Sequence, residues 1–179
     1  MQGKTTAQLR GSWHNFSKYR PLIRELVTRD LKVKYRRSFL GYVWSILNPL
    51  LMMLLQTLVF SYMFRFQIEN FPLYLICGNT LFNFFNESTN MGMGSVLGNS
   101  SLIKKVYVPK FIFPISRVVS SFVNLLFSLA AIILVMLITR SPFHLTILLV
   151  WAPLVLLFLF TCGMALLLSA LAVYFRDLQ

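Results

Sequence analysis

The sequence has few of the side chains from which catalytic and metal sites are built. It contains five acidic residues, two histidines and two cysteines among 179 residues. Cys77 and Cys162 both lie in apolar segments, where a cysteine most often serves as a small buried hydrophobe. No spacing typical of a disulfide framework or of a zinc site is present. We therefore predict no catalytic residue and no metal ligand in the chain.

Charged residues are also scarce. They make up 12% of the chain, against about 25% in a typical soluble domain. The hydrophobic fraction is 57% and the mean hydropathy is +0.69, and one soluble core of this size could not bury so many apolar residues. The sequence therefore predicts that the lipid bilayer is the solvent of the protein.

The charges that are present are mostly positive, and the net charge is +12. In a soluble protein this value would suggest nucleic-acid binding. Ten of the 17 basic residues lie in the first 37 positions and four more lie between Lys104 and Arg117, so the charge is confined to short patches beside apolar segments. Such patches are typical of cytoplasmic loops, and no nucleic-acid partner is expected.

Four stretches with little or no charge predict an all-α integral membrane protein, because about 20 apolar residues suffice for a helix to cross a bilayer. If the N-terminus is inside, fifteen basic residues lie on the cytoplasmic side, whereas only Arg65 and Arg140 lie outside. This asymmetry predicts a cytoplasmic N-terminus. The four transmembrane helices are predicted near residues 39–64, 71–90, 118–139 and 147–172.

The second predicted span is the most polar, and it carries Asn83 and Glu87. A polar helix is expected to face a protein partner or an aqueous path rather than lipid. At the rise of a helix, Glu87 lies ~24 Å from Phe71, which places it close to the inner interface. Two alternatives stay open for Glu87: solvation or pairing with a lysine at the interface, and a position on a polar path.

The segment before the first span is predicted to be an amphipathic helix. Residues 1–19 are interpreted as a polar cytoplasmic tail, and they contain no apolar region typical of a cleavable signal peptide. Residues 20–37 place Leu22, Ile23 and Leu26 on one face and cations on the other, so this interfacial helix is expected to lie against anionic lipid headgroups. Its charged and aromatic residues of interest are Arg29, Asp30, Lys34, Tyr35, Arg36 and Arg37.

Asp30 interrupts the apolar face of this helix. Lys34, one turn later, and Arg37, two turns later, project to the same side and could neutralise it. Asp30 is then either part of an ordinary interfacial ion pair or a contact that pins the helix to another part of the protein. Pro21 is expected in the first turn of the helix, where proline is tolerated.

The segment from 102 to 117 is the most distinctive internal loop. It is basic, and Pro109 and Pro114 are expected to break regular helix and to fix a turn. It is either an ordinary inner loop with proline punctuation or a rigid knob that docks onto a soluble partner. The sequence has no G-x-x-x-x-G-K-[ST] motif for ATP phosphates, and Gly94-x-x-x-Gly98 instead predicts close helix approach or a weak point in a helix.

Two of these segments carry a family resemblance. RELVTRDLKVKYRRSFLGYVWSILNPLL followed by LIKKVYVPKFIFP resembles the permease subunit of ABC-2 type polysaccharide exporters, which include the O-antigen, capsule and wall teichoic acid exporters. The resemblance covers about residues 22–179. The matching residues are Arg29, Asp30, Lys32, Tyr35, Ser38, Leu40, Gly41, Trp44, Leu47 and Pro49, then Lys104, Lys105, Pro109 and Pro114.

The resemblance implies a permease subunit of an ATP-driven exporter that moves a lipid-linked polysaccharide across the bacterial cytoplasmic membrane. It implies a homodimer, membrane lipids as neighbours, and a separate ABC ATPase that binds ATP and Mg, so that no cofactor is expected in this chain. The family pattern has six spans, so the chain looks truncated at its C-terminus after four. The alternative is an ABC-2 exporter of a drug or a small lipid.

The resemblance also suggests roles for individual residues. The basic loop is expected to act as the element that couples the permease to the ATPase, and two groups of residues in the first two spans are expected to line the substrate path. The coupling residues are Lys104, Lys105, Tyr107, Pro109, Lys110 and Pro114. The inner mouth of the path is assigned to Trp44, Asn48 and Pro49, and its polar part to Asn83 and Glu87.

Overall fold

The computed structural model describes residues 3–35, 43–64, 70–105, 108–139 and 149–175. Within these ranges the chain forms helices and no strand, as predicted. The helices are α1 (Gly3–Tyr35), α2 (Val43–Phe64), α3 (Phe71–Met93), α4 (Ser95–Gly98), α5 (Ser100–Lys105), α6 (Ile112–Ile138) and α7 (Trp151–Tyr174).

Three of these helices are long and apolar enough to cross a membrane. The stretches are Val43–Phe60 in α2, Ile112–Ile138 in α6 and Trp151–Tyr174 in α7, in agreement with an all-α integral membrane protein. Helix α3 coincides with the second predicted span and, at 23 residues, is ~34 Å long. Its asparagines and Glu87 make it less apolar than the other three, so the crossing of α3 stays a prediction.

Helix α1 is longer than the interfacial helix predicted from the sequence. It has 33 residues and a length of ~50 Å, and it begins at Gly3 rather than near residue 20. Pro21 therefore lies inside the helix and not in its first turn. In the helix interior a proline removes one backbone hydrogen bond, because it has no N–H. No proline interrupts residues 3–20, so nothing in that stretch forbids continuous helix. Arg36 and Arg37 lie outside the described residues.

The apolar face of α1 is covered by the protein itself. Leu26 is buried and forms a cluster with Ile112 and Phe113 at the start of α6. Tyr19, Leu22 and Ile23 of α1 pack against this cluster from one side, and Leu102, Ile103 and Val108 pack from the other. The face that was expected to lie in the membrane interface thus binds α1 to the basic loop, and the two form one packed unit.

The main core lies where α3 packs against α6 and α7. Phe84 of α3, Val118 and Leu125 of α6, and Leu154 and Ala165 of α7 are all buried there. A second cluster, Ile76 with Ala131 and Val135, joins α3 to α6 nearer the other end of the bundle, and α2 packs on it. Helix α3 is therefore the central helix of the described structure.

A glycine sets the distance between α3 and α7. A Cβ atom at Gly92 would lie 2.7 Å from the Cβ of Ala165, which is too close for two carbon atoms that are not bonded to each other. The close approach predicted for Gly94 and Gly98 is therefore found two residues earlier, and a Cβ at Gly98 would meet nothing within 4 Å. The other alternative, a weak point in a helix, does apply, because α3 ends at Met93 and α4 at Gly98.

Replacing Gly92 with alanine is expected to lower the free energy of unfolding by about 1–3 kcal/mol, the typical effect of overpacking. The matched control is Gly78→Ala on the same helix, where the new Cβ meets nothing within 4 Å. Unfolding by sodium dodecyl sulfate in mixed micelles, followed by circular dichroism, measures both variants. Equal stability of the two would contradict the close contact at Gly92.

Candidate functional site

A polar cleft of about 390 Å³ lies between α1, α2, α3 and α6. Its wall is rich in hydroxyl and amide groups. It brings together the residues predicted for the inner mouth, those predicted for the polar path, and two residues of the interfacial helix. The polar cleft is lined chiefly by Lys34, Tyr35, Trp44, Ser45, Asn48, Pro49, Thr80, Asn83, Asn86, Glu87, Ser121, Asn124 and Ser128.

A chain of hydrogen bonds runs along one wall of the polar cleft. The hydroxyl of Ser45 donates to the Tyr35 hydroxyl at 2.6 Å, which donates to Oδ1 of Asn124, also at 2.6 Å. The amide of Asn124 donates to Oε1 of Glu87 at 3.1 Å, and the ammonium of Lys34 donates to the same oxygen at 2.6 Å. Four helices are held together by these bonds, since each of α1, α2, α3 and α6 contributes at least one residue.

The predicted pairing of Glu87 with a lysine is confirmed, and its position on a polar path stays a prediction. Its carboxylate is paired with a lysine, Lys34, and it also lines the polar cleft. The pair is partly exposed, since the side chain of Lys34 is 44% accessible and that of Glu87 is 31% accessible. Such a pair contributes little to stability by itself, so its main effect in the cleft is to neutralise both charges.

Pro49 lies on the α2 side of the cleft. This proline lies inside α2 and has no N–H to donate to the carbonyl of Ser45, one turn earlier. Farther along α2, Gln56 accepts a hydrogen bond from the side-chain amide of Asn79 on α3. This bond joins α2 to α3.

Asp30 pins α1 to α6. Its side chain is 5% exposed and lies 2.9 Å from the guanidinium of Arg117, and the hydroxyl of Ser120 donates to its other oxygen at 3.4 Å. Arg29 approaches Asp30 at 3.3 Å and also donates to Oδ1 of Asn99 at 3.1 Å. Of the two alternatives, the contact that pins the helix describes the structure.

Of the two partners predicted for Asp30, Lys34 is wrong and Arg37 lies outside the described residues. Lys34 lies one turn away on the same helix, but its ammonium pairs with Glu87. Arg117, which was expected in the inner loop, is a residue of α6 and fills this role instead. The reason is that a cation on a packed neighbouring helix can reach a buried carboxylate directly.

A second cleft of about 500 Å³ adjoins this ion pair and shares Lys34, Glu87 and Asn124 with the polar cleft.

The basic loop exposes only part of its predicted set. Lys104 and Lys105 end α5 and are exposed, as are Lys110 and Phe111 in the turn that follows; we call these four residues the basic tip. Pro109 is half-buried, and Tyr107 lies outside the described residues. Pro114 is buried in the first turn of α6. A proline is tolerated there because the first N–H groups of a helix have no partner within the helix, and the role of Pro114 in coupling stays a prediction.

Sequence reasoning missed Ser45, Asn124 and Arg117 as members of these networks. For Asn124 a signal existed, because an amide in an otherwise apolar span must find a hydrogen-bond partner. For Ser45 no such signal existed, since a serine near the end of a helix can bond to its own backbone.

Comparison with known proteins gives consistent matches over most of the chain. Residues 21–179 match the family described as ABC-2 type transporter. The O-antigen export system permease protein RfbA of Myxococcus xanthus is 36% identical over 165 residues, which are 90% of this chain and 62% of that protein. The protein of the same name from Klebsiella pneumoniae is 32% identical over 157 residues, which are 86% of this chain and 60% of that protein.

A more distant match is the polysialic acid transport protein KpsM of Escherichia coli. It is 26% identical over 167 residues, which are 88% of this chain and 62% of that protein. The chain thus spans about 60% of the length of the curated relatives it matches.

Proposed function

Because the chain belongs to the ABC-2 type transporter family, we propose that it is the membrane-embedded part of a permease subunit in an ATP-driven exporter of lipid-linked polysaccharide. The observation that carries the proposal is the similarity to the RfbA permeases for O-antigen export. The O-antigen export of these relatives and the polysialic acid transport of KpsM favour a polysaccharide over the alternative of a drug or a small lipid.

The permease crosses the bacterial cytoplasmic membrane several times, with its N-terminus in the cytoplasm and with α3 as the second of the four spans in this chain. Support for this orientation comes from the position of the positive charges. Asp30 bonds α1 to Arg117, and Leu26 packs on Phe113, so the cationic α1 and the basic loop lie at the same end of α6. One end of the bundle therefore collects most of the positive charge, as expected for the cytoplasmic side.

The basic tip is the surface at which a separate ABC ATPase binds. Its lysines are exposed and are not paired in any salt bridge of the described residues, and Phe111, 42% exposed, supplies an apolar anchor. The ATPase holds ATP and Mg, so this chain needs no cofactor of its own. The permease acts as a homodimer among membrane lipids, and the polar cleft is the part of each protomer that the substrate reaches from the inner face.

Co-expression with a candidate ABC ATPase of the same organism tests this function. We expect the permease and the ATPase to purify together from membranes in copolymer nanodiscs. We also expect hydrolysis of ATP by the complex to rise when an extract containing lipid-linked glycan is added. Stimulation by typical drug substrates instead of the glycan would contradict the proposed substrate class.

A further inference from the structure

We propose that the polar cleft binds the uncharged, hydroxyl-rich ring of a sugar and not the phosphate of a lipid headgroup. The inference deepens the proposed function and rests on it for the source of the sugar, which is the lipid-linked glycan. The volume of the cleft, about 390 Å³, is at the lower end of the range for small-molecule sites. Three features of its wall decide which ligand it prefers.

The first feature is charge. Lys34 and Glu87 are the charged residues that line the cleft within the part of the chain that the structure describes, and they lie 2.6 Å apart. Their charges cancel, so a phosphate in the cleft would meet no unpaired cation. An anion taken out of water without a counter-charge is strongly disfavoured. A neutral ligand is not subject to this cost.

The second feature is the type of polar group. Asn48, Asn83 and Asn86 lie on two facing helices, and each amide side chain can both donate and accept. The hydroxyls of a sugar also donate and accept, so the two sets match. Trp44 at the edge is 45% exposed and offers a flat apolar surface, which suits the apolar face of a pyranose ring.

The third feature is an unpartnered hydroxyl. Thr80 lines the cleft and is 4% exposed, yet its Oγ1 has no hydrogen-bond partner among the described residues. A threonine in a helix commonly donates to the carbonyl one turn earlier, as Thr161 does to Leu157 at 2.7 Å. Leaving a buried hydroxyl without a partner costs free energy, and a hydroxyl of the bound sugar would remove that cost.

Binding can be measured with the full chain in copolymer nanodiscs, which avoid glycoside detergents. In a Trp13→Phe/Trp151→Phe background, Trp44 is the remaining one of the three tryptophans, and its fluorescence reports on the cleft. The probes are hexyl β-glucoside and hexyl phosphate, which share an alkyl chain and differ in the headgroup. We expect the glucoside to quench Trp44 fluorescence saturably. Hexyl phosphate should show only weak, non-saturable association, at the level at which it partitions into nanodiscs without protein.

Variants test which residues bind the sugar. Thr80→Val and Asn83→Ala are each expected to weaken glucoside binding about fivefold to tenfold, the effect of one lost hydrogen bond. The matched control is Thr161→Val, a buried threonine of α7 outside the cleft, which should leave binding unchanged. Thr80→Val removes no bond to the protein, so its unfolding in mixed micelles should occur at the same or a higher detergent fraction than that of the parent chain.

Four outcomes would overturn the inference: saturable binding of the phosphate as tight as that of the glucoside, no saturable binding of the glucoside, unchanged glucoside binding in Thr80→Val, or destabilisation of the chain by this substitution. The first would make the cleft a site for lipid phosphate. None of these outcomes bears on co-purification with the ATPase or on glycan-stimulated hydrolysis. Failure of the sugar site and failure of the proposed function can therefore be told apart.

Discussion

Replacing Asp30 with asparagine is expected to lower the free energy of unfolding of the chain by about 2–3 kcal/mol. Removing one partner of a buried ion pair commonly costs about 3–5 kcal/mol, because the other charge is left without compensation. The value expected here is smaller, since the side chain of Arg117 is 22% exposed and water can solvate part of its charge. Unfolding by sodium dodecyl sulfate in mixed micelles is the measurement.

Two further variants separate the ion pair from a general effect of charge. Glu25→Gln makes the same acid-to-amide change at an exposed position of α1 and should shift stability by no more than about 0.5 kcal/mol. Asp30→Asn combined with Arg117→Met removes both charges, keeps most of the apolar length of the arginine, and should recover at least about 1 kcal/mol. Equal destabilisation by Asp30→Asn and Glu25→Gln would show that the contact between α1 and α6 does not depend on Asp30.

The helices that are long and apolar enough to cross a membrane were predictable because the absence of charge over about 20 residues is a local property of the sequence. Their ends were less predictable. The third span was expected to begin at 118, after Arg117, whereas α6 begins at Ile112. Arg117 does not end the helix, because its charge is compensated by Asp30. Whether a charged residue has a partner depends on packing, and the sequence pattern does not contain that information.

The polar cleft was predictable only in parts. Trp44, Asn48, Pro49, Asn83 and Glu87 were singled out, and the structure brings all five together. The bonds that organise the cleft join residues far apart in the chain, such as Tyr35 and Asn124, which are 89 positions apart. Periodicity shows which face of a helix is polar, but it does not show which helix that face meets.

The contacts of α1 suggest how a movement at the basic tip would reach the spans. The tip continues into Ile112 and Phe113, which pack on Leu26 of α1, and one turn after Leu26 the buried Asp30 binds Arg117 of α6. The end of α1 then joins the polar cleft through Tyr35. A displacement of the tip would therefore move α1 together with the wall of the cleft, because packed helices move as rigid units.

Reversing two charges of the basic tip is expected to abolish this coupling. In the complex with the ATPase, Lys104→Glu/Lys105→Glu should weaken binding on the order of a hundredfold. The reason is that the new glutamates would face the acidic surface expected on the ATPase. Like charges across an interface cost several kcal/mol, and each 1.4 kcal/mol is tenfold in affinity. Co-purification at low permease concentration measures the affinity, and glycan-stimulated ATP hydrolysis measures the coupling.

The matched control is Arg20→Glu/Arg24→Glu, which changes the net charge by the same amount at two exposed positions of α1. If the tip is the docking surface, this variant should keep the ATPase bound, because Arg20 and Arg24 lie outside the basic tip. Equal loss of the ATPase in both variants would instead mean that overall charge at the cytoplasmic end controls binding. Retention of the ATPase by the Lys104→Glu/Lys105→Glu variant would exclude these two lysines from the interface, because a reversed pair of charges in contact with the partner could not leave the affinity unchanged.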